Sequence, residues 1–375
     1  ANDTSADAGF NNTPVRFLAN GFKINKEVTS NSYGDYDTTG RTFMYMAFAD
    51  DPVATAPTLA DSFNAKLFTG TGSSNSITGF GFSPSFVWIK PRNATAQHSL
   101  FDTVRGPLFR LDTTTANDAP LPVSNTLTSF DSDGFTFGNE SGNNNGETAV
   151  AWGWKAATSP SINTDGDITS IVSANTNAGF SIVNYVHNGN AGNSIGHGLN
   201  SAPELIVIKC TSNSSTNWIS YHSHLGTSKY LSFNSSGDQD TSSNWISVGS
   251  STFSLNSNFG NASTSGRKYI AYCFHSVSGF SKMGYYSGTG NSNAITGLGF
   301  QPDFIIAKEV DGTDSWEMVD SARGNDKTVY VNGNNPEGTT SSFSSFDSNG
   351  FTVAGGVSSI NESGKTYTYI SFKIN

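Results

Sequence analysis

Asp102 and Arg105 stand three residues apart, and Asp320 and Arg323 repeat the pair. A carboxylate and a guanidinium at that spacing either clamp a ligand or pair with each other. A glycine follows each arginine directly (Gly106, Gly324), which favours an ion pair tightening a turn. His222 and His224 have strand spacing, so both imidazoles would share one face. That is half of a Zn or Ni site, with His187 and His197 as further donors whose place the spacing leaves open. Asp131-Ser132-Asp133-Gly134 looks like the start of a calcium loop. The glutamate that loop needs at its twelfth position is replaced by Gly142, so a β-turn built on Asp and Gly is expected. The glutamates are few, and no Glu-x-Asp-x-x-Glu pattern, nucleophile elbow, His-Glu-x-x-His or phosphate loop occurs. No catalytic residue, metal or cofactor is expected. Cys273 aligns with small residues in the other repeats, so a buried thiol is the simplest reading. A Cys210–Cys273 disulfide is the alternative.

These residues recur because the chain repeats. GFGFSPSFVWIK (79–90), GHGLNSAPELIVIK (196–209) and GLGFQPDFIIAK (297–308) each run from a glycine turn through a proline into an apolar stretch ending in lysine. Those lysines are Lys90, Lys209 and Lys308. FDTVRG, YHSHLG and VDSARG follow. Then come SFDSDGF and SFDSNGF, with VGSSTF as a weaker middle copy, and last AVAWGWK, YIAYCFH and YTYISFK. His222 and Leu225 replace the Asp/Arg pair in the middle copy, so the pair is not chemistry that every copy needs. A fourth, partial copy opens the chain, because FLANGFKI (17–24) matches SFDSDGF and FMYMAFA (43–49) matches the closing strand. The expected boundaries are a partial repeat at 1–56, a repeat at 57–157, a linker at 158–175, and repeats at 176–277 and 278–375. Tyr33 and Tyr36 fall in a longer loop of the partial copy. They are the candidate surface-binding aromatics, set to stack on sugar rings or on a neighbouring subunit.

Short apolar runs bounded by Gly and Pro, with period-two alternation in Tyr367–Phe372, predict strands throughout. The fold class is therefore all-β, with a β-sandwich or jelly roll in each repeat of about 100 residues. Only 13% of the residues are charged, and the net charge is −10. An acidic chain is a poor partner for phosphates, which excludes a nucleic-acid binder. No apolar stretch is long enough for membrane insertion as a helix. With 12% aromatics it is not a disordered chain either. The sequence begins at Ala1 without a signal-peptide pattern, so a processed chain or a piece of a longer one is expected.

The combination of SITGFGFSPSFVWIK, HSLFDTVRG, SFDSDGF and ETAVAWGWK resembles repeat domains in virion structural proteins of tailed phages, particularly marine ones. That resemblance implies tandem lectin-like, concanavalin A-like or jelly-roll β-sandwiches. It also implies a non-enzymatic tail or fibre component, or a capsid decoration, on the virion surface. The implied partners are other virion proteins, further copies of the chain, and a glycan of the host surface. From their place in the repeat, Lys90, Lys209, Lys308 and the two Asp/Arg pairs are expected to be structural residues. The alternatives are a secreted or cell-surface carbohydrate-binding adhesin and, third, a glycan-degrading enzyme.

Overall fold

Along the strand Phe86–Pro91, Phe86, Trp88 and Lys90 alternate with Val87 and Ile89. Successive side chains leave a strand by opposite faces, and here both sets are buried. Each face therefore has a layer upon it. The computed structural model describes residues 61–116, 122–157, 159–213, 215–256 and 262–374, and the backbone of strands Val15–Leu18 and Gly21–Ile24. Residues 55–375 form one compact unit, and 1–54 are a second.

Three modules make up the larger unit. In module 1 the large sheet has the order Phe63–Thr69, Thr148–Trp154, Phe86–Pro91, Ser99–Asp102, Gly106–Leu111. Module 3 repeats it as Ser281–Ser287, Thr366–Phe372, Phe304–Glu309, Glu317–Asp320, Gly324–Tyr330, and adds Gly338–Thr339. Module 2 repeats it with Phe180–Val186, Lys268–Phe274, Leu205–Cys210, Ile219–His222 and Lys229–Ser232. A three-stranded sheet covers each large one; in module 1 its order is Asn75–Thr78, Gly134–Phe137, Leu127–Asp131. Every pairing between these strands is antiparallel, as the short connections allow. The all-β expectation holds. The segment 158–175, expected as a linker, instead carries Ser161–Asn163 and Ser170–Asn175, two outer strands of the module 2 sheet.

Val87 and Ile89 enter a core closed by the small sheet, with Ile77, Phe135 and Phe137. Modules 2 and 3 have their own equivalents. Phe86 and Trp88 point the other way, into one core shared by all three large sheets. There Phe63 and Trp154 of module 1 meet Phe304 and Phe372 of module 3. Phe86 lies 4.5 Å from Tyr272 of module 2, and Phe233 of module 2 lies 4.8 Å from Trp316 of module 3 (ring centroids). Rings at these separations add to the area they bury. The modules thus close around a pseudo-threefold axis, along which an apolar cavity of about 30 Å³ remains. Equivalent residues from each module line it: Phe86, Leu205 and Phe304, then Trp154, Phe274 and Phe372.

The hairpin of the N-terminal unit pairs Phe17 with Phe22 and Leu18 with Gly21. That is the register of Phe130 with Phe135 and Asp131 with Gly134, so the partial copy keeps the repeat's hairpin. No helix among the described residues is long and apolar enough to cross a membrane.

Candidate functional site

Of the residues singled out by type and spacing, the two Asp/Arg pairs, Lys90 and Lys209 bond across the seams between modules. Asp102 ends the strand Ser99–Asp102, and the turn that follows brings Arg105 back over it. Arg105 donates to Asp102 from Nε (2.6 Å) and from its backbone N–H (2.8 Å). Asp320 and Arg323 repeat this geometry at 2.6 Å and 2.9 Å. Both carboxylates are fully buried. A buried ion pair is costly unless its remaining lone pairs are satisfied, and the next module supplies the donor. Tyr272 Oη of module 2 donates to Asp102 Oδ2 at 2.8 Å, and Trp152 Nε1 of module 1 donates to Asp320 Oδ2 at 3.0 Å. The expected ion pair is present, and it also fastens neighbouring modules together. The third seam lacks this lock, because the equivalent residues are His222, Leu225 and Ile370.

A second contact occurs at all three seams. Trp218, Trp316 and His98 occupy one position of the repeat, four residues before His222, Asp320 and Asp102. Each places a ring N–H against a carbonyl of another module: Trp218 Nε1 to Asp112 O (2.8 Å), Trp316 Nε1 to Ser232 O (3.2 Å), His98 Nε2 to Tyr330 O (3.0 Å). Trp88 Nε1 donates to His98 Nδ1 at 2.7 Å. An indole only donates, so Nδ1 is the acceptor and the His98 proton sits on Nε2. These rings were not legible as a site, since the chemistry differs between copies; the shared spacing was the available signal.

The three lysines are all fully buried and are held by carbonyls. Lys90 Nζ donates to Ala96 O and Pro91 O, and reaches Asn334 O of module 3 at 3.4 Å. Lys209 Nζ donates to Thr216 O and to Ala116 O of module 1. Lys308 Nζ donates to Glu309 O and Gly312 O. Burial pushes Lys90 and Lys308 down to about 8. The Arg323 charge adds to this at Lys90, while Glu309, Asp314 and Asp238 oppose it at Lys308.

Modules 1 and 3 are not joined in sequence, and their seam carries the densest polar bonding. Arg92 makes a bidentate pair with Glu337 at 2.9 and 3.0 Å. Arg323 also reaches Glu337, and backbone bonds link Ala96 to Asn334 and Glu337 to Arg92. Arg323 further lies over the Trp152 ring, 5.3 Å from its centroid.

The remaining candidates are resolved more simply. The strand ends at His222, and His224 lies in a one-turn 3-10 segment, Ser223–Leu225. The expected shared face for the two imidazoles is therefore absent, and no group of metal-ligating residues forms among the described residues. Instead His222 Nδ1 accepts from the His224 backbone N–H, and the His224 ring stacks on Tyr285 with centroids 3.7 Å apart. Asp131 accepts from the Ser129 and Thr136 hydroxyls, and Asp133 from the Gly79 and Gly81 N–H groups, as a turn brace would. Cys210 and Cys273 are buried free thiols, and burial pushes Cys273 up to about 12. Tyr33 and Tyr36 lie outside the described residues.

A domain-family model of unknown function, DUF7483, matches residues 58–374. The chain belongs to that family. The match spans all three modules and so treats as one domain what the axial core joins as one unit. No curated protein and no solved structure matches this DUF7483 chain.

Proposed function

We propose that the chain is a non-enzymatic structural protein of a tailed-phage virion, a tail or fibre component or a capsid decoration with lectin-like β-sandwich modules. The observation that carries this reading is where the charged residues go. The two Asp/Arg pairs, Lys90 and Lys209, among the residues best equipped for chemistry, are buried and bonded across the seams between modules, and Lys308 is buried on carbonyls of its own module. The motif resemblance supplies the virion context, and fold alone does not supply a role. A rigid, weakly charged body suits dense packing beside other virion proteins and further copies of itself, where salt screens surface charge. Antibodies raised against the chain should decorate purified particles in immunogold micrographs, at sites occupied in multiple copies. Absence from intact particles would sink this reading. Light scattering at high salt tests self-association: a stable oligomer is expected, and a 39.7 kDa monomer would contradict it.

One observation favours glycan binding beside the structural role. Tyr285 is 58% exposed, the one aromatic among the exposed large hydrophobic residues of the described part of the chain, and it rests on His224. An open aromatic face at a seam is a surface on which a sugar ring can stack, and repetition of weak sites on a particle would give avidity. Tyr285→Ala should abolish retention on immobilised host polysaccharide while leaving the circular dichroism unchanged. Retention by the variant would remove Tyr285 from the reading.

A further inference from the structure

Module 3 has two seams, and each contains a buried histidine with its proton position fixed from outside. At the seam with module 1, His98 is fully buried. Trp88 Nε1–H points at its Nδ1 (2.7 Å), and its Nε2 faces Tyr330 O (3.0 Å). A second proton on the ring has only Nδ1 to occupy, and there it would oppose the indole N–H. The charged groups facing the ring are Lys90 and Arg323, both cationic. At the seam with module 2, His222 is 3% exposed. Its Nδ1 accepts the His224 N–H at 3.2 Å, the ring lies against the Tyr369 backbone of module 3, and His224 is the titratable group facing it. Glu204, just before the adjacent strand that pairs Leu205 with His222, accepts the N–H and hydroxyl of Ser276 on Oε2. A second proton on Nδ1 therefore meets an N–H donor in either pocket, the Trp88 indole at His98 and the His224 backbone at His222. The seam between modules 1 and 2 has Trp218 and Asp102 at these positions.

We propose that acid releases module 3: protonation of His98 and His222 undoes the seams on its two sides, while the seam between modules 1 and 2 stays closed. The sign follows from linkage. Burial is the leading cause that holds His98 at about 3 and His222 at about 4, whereas an exposed imidazole titrates near 6.5. The open form thus binds more protons at every pH between these values, and opening is favoured as pH falls below about 6.5. At pH 5 the gain is about 30-fold per histidine, and about 1,000-fold when one opening exposes both. His187 and His197 also titrate low through burial, but they belong to module 2 itself, so their effect would appear at a different place.

Hydrogen exchange with mass-spectrometric readout on the whole chain, at pH 7.5 and pH 5.0 and corrected for intrinsic rates, tests this. The strands Gly324–Tyr330 and Thr366–Phe372 should open at least 30-fold more at pH 5.0, and the module 2 strand Lys268–Phe274, whose Tyr272 is bonded to Asp102 of module 1, should not. His98→Gln with His222→Gln keeps an acceptor and a donor at each site without a titrating group, and should abolish the response. If that variant does not fold, a variant rebuilding the missing lock (His222→Asp, Leu225→Arg, Ile370→Tyr) should reduce the response to that of one histidine. Equal exchange at both pH values would overturn the proposal. So would a wild-type acid response in the glutamine variant, or simultaneous opening of all three seams.

Discussion

At the scale of single residues, what decides the structure is how a buried charge finds enough partners. Asp102 has its own Arg105 from one side and Tyr272 of the next module from the other. Tyr272→Phe keeps the ring in the axial core and removes one donor to a buried carboxylate. The expected loss is about 1.5–3 kcal/mol, read as a lower urea midpoint with an unchanged slope. Gly350 is constrained differently. Its φ is +152°, and a Cβ there would lie 1.9 Å from Ile295 O. Backbone opposes it, so no side chain can yield, and Gly350→Ala should cost more than about 4 kcal/mol or prevent folding. Gly134 has the same φ and the same clash with Ile77 O, and its alanine variant should behave alike in thermal melts.

Among the elements, the central strand of each large sheet carries the most contradictory demands. Phe86–Pro91 and Phe304–Glu309 bury every residue, including a lysine near the end of each. With Lys90 and Lys308 at about 8 in the fold, from an ordinary 10.5, the unfolded chain binds more protons between those values. Stability should therefore rise as pH increases from about 8 towards 10. It should fall again once the buried tyrosines, whose hydroxyls burial holds above 10, begin to ionise in the unfolded chain. Thermal melts at pH 7.5, 8.5 and 9.5 check this: an increasing midpoint is expected, and a flat profile would contradict buried charged lysines. Lys90→Met should remove part of the rise, because one of the two titrating groups is gone.

For the whole molecule, the consequence is that a module is not a folding unit by itself. Phe63, Phe86, Trp88, Trp152 and Trp154 of module 1 are covered by the other modules. A fragment comprising 61–157 would expose them and keep only the smaller core behind its three-stranded sheet. It should lack near-ultraviolet dichroism and aggregate, whereas at pH 7.5, above the range in which acid releases module 3, 55–375 should unfold in one cooperative transition. The seam without a covalent link has the Arg92–Glu337 pair in addition to its aromatic lock. Glu337→Ala should lower the melting temperature of 55–375 by several degrees, because two buried or half-buried arginines lose their acceptor.

The repeat, its strands, its turns and the Asp/Arg pairs were readable from the sequence because they are local. Period-two alternation reports two buried faces, glycine before phenylalanine reports the hairpin, and a spacing of three reports the pair across a turn. What covers the second face could not be read, because Phe86, Trp88 and Lys90 look the same whether they meet another repeat or another chain. Only the tertiary structure joined Tyr272 to Asp102 and Trp152 to Asp320, across 170 and 168 residues. It also turned 158–175 from linker into sheet and separated His222 from His224. The physical reason is the same in each case. A sheet edge, a buried carboxylate and an apolar face each demand a partner. Local chemistry states that demand, and three-dimensional closure alone determines which residue meets it.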